Sequence, residues 1–190
     1  MACIALTKGR GLDCNRSSGG VKYIYFGVYD QFSPLPLVVS SEVTDIEMGA
    51  NALYRYTPPR GSSQAMETIT GSTENGTISY TPTVSMVLNR LSKEDQNEIK
   101  LLGQTQLIIF CQLNEQLANG HDVIVALGVT NAMALNAGTA DSGTAFADRN
   151  GYTLNFDGFE ADPFPMVADY TTIPFDNAAF NFGAGNPITS

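Results

Sequence analysis

An alternation of apolar and hydroxyl-bearing residues between Thr77 and Leu88 is the feature that most constrains the fold. The apolar positions are Ile78, Tyr80, Val84, Met86 and Leu88, and they alternate with Thr77, Ser79, Thr81, Thr83 and Ser85. Because successive side chains of a strand point to opposite faces, the pattern predicts a long strand with one apolar and one hydroxyl-rich face. Pro82 cannot donate to a strand ladder, so we expect an edge or a bulge at that point.

A β-hairpin is predicted around this strand. The preceding segment, Met66 to Thr70, joins it through Glu74-Asn75-Gly76, and Asn and Gly both tolerate the positive φ of tight hairpin turns.

The pattern changes at Ser92, which is followed by Lys93, Glu94 and Asp95. A serine N-cap with acidic residues in the first turn, and Gly103 as a stop, predict a helix over about residues 92–102. The next run, Leu107 to Cys111, is continuously apolar and predicts a strand covered on both faces. We expect the helix to cover one face, and the core or a neighbouring subunit to cover the other.

Four further strands are indicated by apolar or alternating runs. They lie at Val21 to Tyr29, Leu53 to Tyr56, Asp122 to Val129 after the Asn119-Gly120 turn, and Tyr152 to Asp157 after Asn150-Gly151. The predicted fold is therefore mainly β, a sandwich or barrel with one flanking α-helix.

Three stretches fit poorly into this predicted body, which spans 21–162. Residues 1–20 are glycine-rich and basic and predict an N-terminal arm, and Asn131 to Ala147 consists mostly of small residues. Residues 163–190 combine prolines with aromatic residues without periodicity. A soluble monomer gains nothing by exposing such a tail, so we expect this extension to dock on a neighbouring subunit. The alternative is that it folds back over its own body.

Charge is sparse and unevenly distributed. Only 15% of the residues are charged, which suits a surface covered by neighbours. The chain up to Lys22 has four basic residues against one acidic residue, whereas the remainder carries a net charge of −12. So acidic a body disfavours binding to nucleic acid, although it suits a wall along which DNA slides without adhering.

The chain is poor in residues that carry catalysis or bind metals. His121 is the only histidine and follows a turn glycine, where an exposed loop position is expected. Two acidic clusters, Glu42/Asp45/Glu47 and Asp157/Glu160/Asp162, lack the order of a calcium loop and are interpreted as solvated faces. Nucleotide-binding and nucleophile-elbow motifs are lacking. The Lys8-Gly-Arg-Gly11 segment offers backbone amides and cations that could hold a phosphate, although a flexible arm explains it equally well. We expect no catalytic, cofactor-binding or metal-binding residues and no enzymatic activity.

The three cysteines favour a reducing environment. Cys3, Cys14 and Cys111 are an odd number, and the first residues are too short to form a signal-peptide core. Cys3 and Cys14 are expected to be free thiols and Cys111 a small core residue. With no apolar run long enough to span a membrane, we expect a soluble protein made in the cytosol.

Three segments resemble virion proteins of phages of Bacteroidetes-type hosts, including crAss-like phages. They are Thr7 to Cys14 with Gly19 to Tyr25; Asn75 to Tyr80 through Leu88 to Leu91 and Asn97 to Leu102; and Ser142 to Leu154. The resemblance implies a structural protein with a tail-tube type of fold, a β-sandwich flanked by a helix whose copies join their sheets into rings. The extension 163–190 departs from that pattern.

The resemblance and the residue pattern together favour a tail-tube or tail-ring subunit that forms a ring around the ejection channel, with a copy number that is a multiple of six. Its partners would be other copies of itself and other tail or neck proteins. DNA would be passing cargo without specific binding, and no membrane would be involved. We expect a virion protein assembled in the host cytoplasm. The alternative is a capsid decoration or fibre-anchoring protein, and an enzyme with paired carboxylates is a weaker third hypothesis.

Overall fold

A computed structural model describes residues 9–11, 17–182 and 188–189. Within them the chain is mainly β, with thirteen strands and a single α-helix, which confirms the predicted class. The strands are β1 Val21–Val28, β2 Leu37–Val39, β3 Glu42–Glu47, β4 Leu53–Tyr56, β5 Gln64–Ser72, β6 Thr77–Asn89, β7 Leu107–Gln116, β8 Asp122–Leu127, β9 Met133–Asp141, β10 Gly151–Gly158, β11 Met166–Val167, β12 Phe180–Asn181 and β13 Ile188–Thr189.

The predicted helix is present as α1, Lys93–Leu102. The Ser92 hydroxyl accepts a hydrogen bond from the Asp95 amide at 3.0 Å and so satisfies one of the free N–H groups at the helix start. Leu102 is buried in the core and Ile99 packs against it, while the opposite side of the helix faces solvent. The helix thus contributes one apolar stripe to the body.

Strand β7 lies at the centre, and both of its faces are buried as predicted. Antiparallel β1 and β8 flank it, and β9 joins it at one position, where Leu107 is opposite Met133. Beyond that joint the sheet continues in the order β9, β10, β6, β5. We call this four-stranded part the outer sheet.

Two hydrophobic cores lie on the two faces of β7. In the first, Leu107, Ile109 and Cys111 pack with residues of β1, β8 and the outer sheet, and Cys111 is fully buried as predicted. In the second, Ile108 and Phe110 pack with residues of β3, β4 and the C-terminal segment. This division explains the uninterrupted apolar run, because alternate side chains enter different cores.

The described part of the C-terminal extension covers its own body, which was the alternative prediction for 163–190. Strand β11 pairs with β3 and β8, β12 pairs with β3, and β13 pairs with β4. Phe175 is buried in the second core and packs edge-on against Tyr25 and Phe110. The extension's aromatic residues therefore have partners within one chain, and docking on a neighbour stays a prediction.

Two other expectations need correction. Of residues 131–147, the part in β9, Met133–Asp141, belongs to the body, because it pairs with β10 along its length and backbone hydrogen bonds hold a strand that has few large side chains. Strands β2 and β3 were not predicted.

For the N-terminal arm, Ser18 and Gly20 contact β7 through Glu115 and Asn114, and residues 1–8 and 12–16 lie outside the described residues.

Candidate assembly surface

The outer sheet has one face in the first core and one face directed away from it. On β6, Val84 and Met86 are fully buried, which confirms the predicted apolar face. Directly paired residues lie on the same face of a sheet, so the pairing register shows which residues form the opposite face. This outward set includes Met66, Thr68, Thr70, Ser79, Thr81, Thr83, Ser85, Thr139, Thr153, Asn155 and Asp157.

The outward face is rich in hydroxyl groups and carries only negative charge within its four strands. Its charged residues are Asp141 and Asp157, and Asp157 accepts a hydrogen bond from Asn136 at 2.7 Å. Arg149 lies at one end, where its guanidinium donates to the Thr153 hydroxyl at 3.0 Å. Such a surface offers DNA few cations to hold its phosphates.

Both lateral edges of the outer sheet are open in the part of the chain that the structure describes. Strand β5 pairs only with β6, and β9 pairs with β10 on one side and meets β7 only at Met133. Because the four strands alternate in direction, β5 and β9 run antiparallel to each other. Unpaired strand edges are templates for pairing with another chain.

The open edge of β5 presents specific backbone groups. Tyr80 exchanges backbone hydrogen bonds with Glu160 at 3.0 and 2.8 Å, so its N–H points away from β5. Its pair on β5, Ile69, must therefore direct its own N–H to the open edge. By alternation, Ala65 and Glu67 do the same.

The β5–β6 hairpin extends beyond the body. Its turn contains Gly76 with φ of 64°, as predicted from Asn75-Gly76. On the side continuous with the core face, Ile69 is 61% exposed and Ile78 is 59% exposed. Pro82, opposite Glu67, lies between the last β6–β10 pair, Thr83–Asp157, and the isolated Tyr80–Glu160 bridge, so the ladder is interrupted at the residue that has no N–H.

At the other end of the outer sheet, the β9–β10 loop presents Phe146 with its side chain fully exposed. The Asp148 carboxylate accepts hydrogen bonds from the amides of Ala145 at 2.6 Å and Thr144 at 3.0 Å. Those two donors lower the pKa of Asp148. Gly143 has φ of 74°, and a β-carbon there would come within 2.9 Å of Asp148, so the loop conformation depends on glycine.

A buried polar network supports the central strands. Asp122 accepts hydrogen bonds from Lys22 at 2.6 Å and from Gln112 at 2.7 Å, and Gln112 in turn accepts one from the Tyr25 hydroxyl. Burial opposes ionisation of Asp122, but the bonds from Lys22, Gln112 and Gln116 outweigh it and lower the pKa of its carboxyl. Burial raises the pKa of Tyr25 well above its usual value. The network therefore holds a charged carboxylate and a neutral phenol.

The structure places the predicted polar residues in structural roles. The interpretation of Glu160 as solvated is wrong, because it is buried and accepts hydrogen bonds from the amides of Thr130 and Asn131. His121 is not a simple exposed loop residue: its ring stacks on Tyr170 at 4.4 Å and its Nδ1 lies 2.8 Å from Asp169. Glu42, Asp45 and Glu47 share strand β3. Cys3, Cys14 and Lys8 lie outside the described residues.

The described residues contain no group of three or more His, Cys, Asp and Glu side chains placed to hold a metal ion. None of the helices among them is both long enough and apolar enough to cross a membrane.

Several concavities open on the surface. One of about 440 Å³ separates the β2–β3 turn from Asp169 and Tyr170, and another of about 350 Å³ lies on the outward face of the outer sheet beside Asp157.

Sequence reasoning identified the hairpin but missed Phe146 and the open β9 edge. An isolated aromatic residue within a loop of small and turn-forming residues was the available signal for Phe146.

No protein-family model, no curated protein and no solved structure matches the chain.

Proposed function

We propose that the protein is a structural subunit of a phage tail, and that its copies form a ring around the ejection channel by pairing β5 of one copy with β9 of the next. The observation that carries this proposal is that, among the described strands, one four-stranded antiparallel sheet has an open edge on each of its two sides.

The directions of the strands support a closed ring. Copies related by rotation about an axis keep the same strand directions, so β5 of one copy would meet an antiparallel β9 of its neighbour. Each junction would then repeat the antiparallel alternation found within the subunit. Both strands are nine residues long, so the ladders match in length. Closure of the ring would leave no lateral edge of the outer sheet exposed.

The outward face of the outer sheet would line the channel. Its hydroxyl groups would keep the channel wall hydrated, and its aspartates would repel the phosphates of DNA. DNA would then pass without specific binding. The virion, assembled in the host cytoplasm, is the proposed location, with other tail or neck proteins as partners.

Electron microscopy and native mass spectrometry of the purified full-length chain test the proposal. We expect rings with a central channel and a copy number that is a multiple of six. A protein that stays monomeric at all concentrations, and that forms no ring in phage particles, would contradict it. A copy number matching the capsid instead of the tail would favour the decoration protein.

A further inference from the structure

We infer that Phe146 of one copy docks into a notch at Gly71 on the hairpin of another copy, so that successive rings stack head to tail. The inference rests on the proposed ring, and adds the contact along the channel axis to the contact around it.

The aromatic knob is Phe146 on a loop that is already ordered. Its ring has no cover among the residues that the structure describes, whereas its neighbours Thr144 and Ala145 are fixed by their hydrogen bonds to Asp148. The backbone amide of Asp148 also donates to the Ala145 carbonyl at 3.0 Å. A loop that is held in shape while it presents a bare aromatic ring loses little conformational entropy on binding. Aromatic anchors of this kind dominate the energy of protein interfaces.

The notch lies on the apolar side of the projecting hairpin. There Ile69 pairs with Tyr80 and Gly71 pairs with Ile78, so these four residues share one face. Gly71 has no side chain, and a β-carbon at that position would contact nothing within 4 Å. The gap is therefore open and is bordered by two exposed isoleucines. Aromatic rings are known to cover glycines of this kind on edge strands.

The knob and the notch lie at opposite ends of the outer sheet, so they cannot meet within one copy. Gly151, just after the Phe146 loop, pairs with Asn89 at the end of β6. Ile78 lies near the start of the same strand, about 36 Å away at roughly 3.3 Å per residue. A contact between different surfaces at opposite ends is heterologous and propagates along an axis. If the strands of the ring run along the channel, the contact stacks one ring on the next.

Arg149 on the knob loop and Glu74 at the hairpin turn give the two ends one pair of opposite charges. The hairpin from Gln64 to Tyr80 carries Glu67 and Glu74 and no basic residue. The knob loop carries Arg149, three positions from Phe146, and its one internal carboxylate, Asp148, already accepts two amide donors. The Arg149 guanidinium already donates to the Tyr152 carbonyl and the Thr153 hydroxyl, and its remaining N–H groups can face Glu74 of the next copy.

Two variants and a mixture of them test the contact in the full-length protein. Phe146→Ala removes the knob, and Ile78→Thr alters the notch while keeping a β-branched residue on the strand. Both positions are exposed, so circular dichroism and thermal melting should match those of the parent protein. Leu101→Ala, an exposed apolar residue on α1, is the matched control.

We expect the parent protein and the control to form stacked rings, and each variant to form single rings under the electron microscope. Equal amounts of the two variants, mixed after assembly, should give pairs of rings and no longer stacks, because only the Ile78→Thr knob and the Phe146→Ala notch remain compatible. Unchanged stacking by Phe146→Ala would overturn the inference, as would a mixture that contains only single rings.

A parent protein that forms no rings in solution or in phage particles would contradict the proposed function, and sedimentation would then test the inference separately. Head-to-tail chains that Phe146→Ala abolishes would support the contact. Absence of self-association in the parent would overturn it.

Discussion

The ammonium group of Lys22, at the start of the first strand, lies 2.6 Å from the carboxylate of Asp122, one hundred residues later in the chain. The Asp122 side chain is 7% exposed, whereas that of Lys22 is 45% exposed. The pair therefore links β1 to the β7–β8 hairpin, with the carboxylate buried and the ammonium group at the surface. The hydrogen bond to Asp122 raises the pKa of Lys22, and burial opposes that change only in part.

Asp122→Asn should destabilise the protein by about 1–3 kcal/mol near neutral pH, because it weakens charge-assisted hydrogen bonds to Lys22 and Gln112. The folded-state pKa of Asp122 is lowered, so its stabilising contribution is present above the unfolded pKa and disappears as pH falls through the folded pKa. Chemical denaturation at several pH values should show the difference from the parent protein shrinking in acid. Asp162→Asn, at an exposed site, is the control, and an equal loss in both variants would contradict the prediction.

Phe175→Ala should lower the free energy of unfolding by about 3–5 kcal/mol, because it empties a site in the second core. The ring centroid lies 5.1 Å from that of Tyr25 and 5.3 Å from that of Phe110. Since the C-terminal segment covers its own body, the loss should be the same at all protein concentrations. Ile173→Ala, half-exposed in the same segment, should have a small effect. A loss that appears only at concentrations where the protein assembles would indicate docking on a neighbour instead.

Glu67→Gln should stabilise the protein at neutral pH. Burial and the nearby Glu160 raise the pKa of Glu67, against the lowering effect of its hydrogen bond from the Phe164 amide. A carboxyl whose folded pKa is raised favours the folded state in acid and loses that contribution as pH rises through the folded pKa. Glutamine keeps an acceptor oxygen without the charge. Melting curves should show a gain at pH 7 that vanishes below about pH 4, whereas Glu74→Gln in the exposed turn should show none.

The sequence predicted those elements in which the order of apolar and polar side chains follows their burial. The alternation in β6 marks a half-buried strand, and the continuous run in β7 marks a strand between two cores. The cap at Ser92 fixes the start of α1 because a single side chain satisfies the free amide of Asp95.

The sequence did not predict elements whose stability comes from distant backbone pairing. Strand β9 consists largely of small residues and is held by its ladder to β10. The short strand β2 follows two prolines, Pro34 and Pro36, which local patterns assign to a loop. The aromatic tail lacks periodicity because its rings fill separate gaps in the second core. A periodic pattern arises only where a regular helix or strand buries one face.

Ala65→Pro should prevent ring formation while leaving the subunit folded. The register places the Ala65 N–H on the open edge of β5, so proline there removes a donor for the neighbouring strand and none that the hairpin uses. Ala65→Ser keeps the N–H and is the matched control. We expect native mass spectrometry to find monomers for the proline variant and rings for the serine variant, with similar melting temperatures for both. Rings in the proline variant would show that the copies do not pair through β5, whereas loss of rings in both variants would assign the effect to the side chain at position 65.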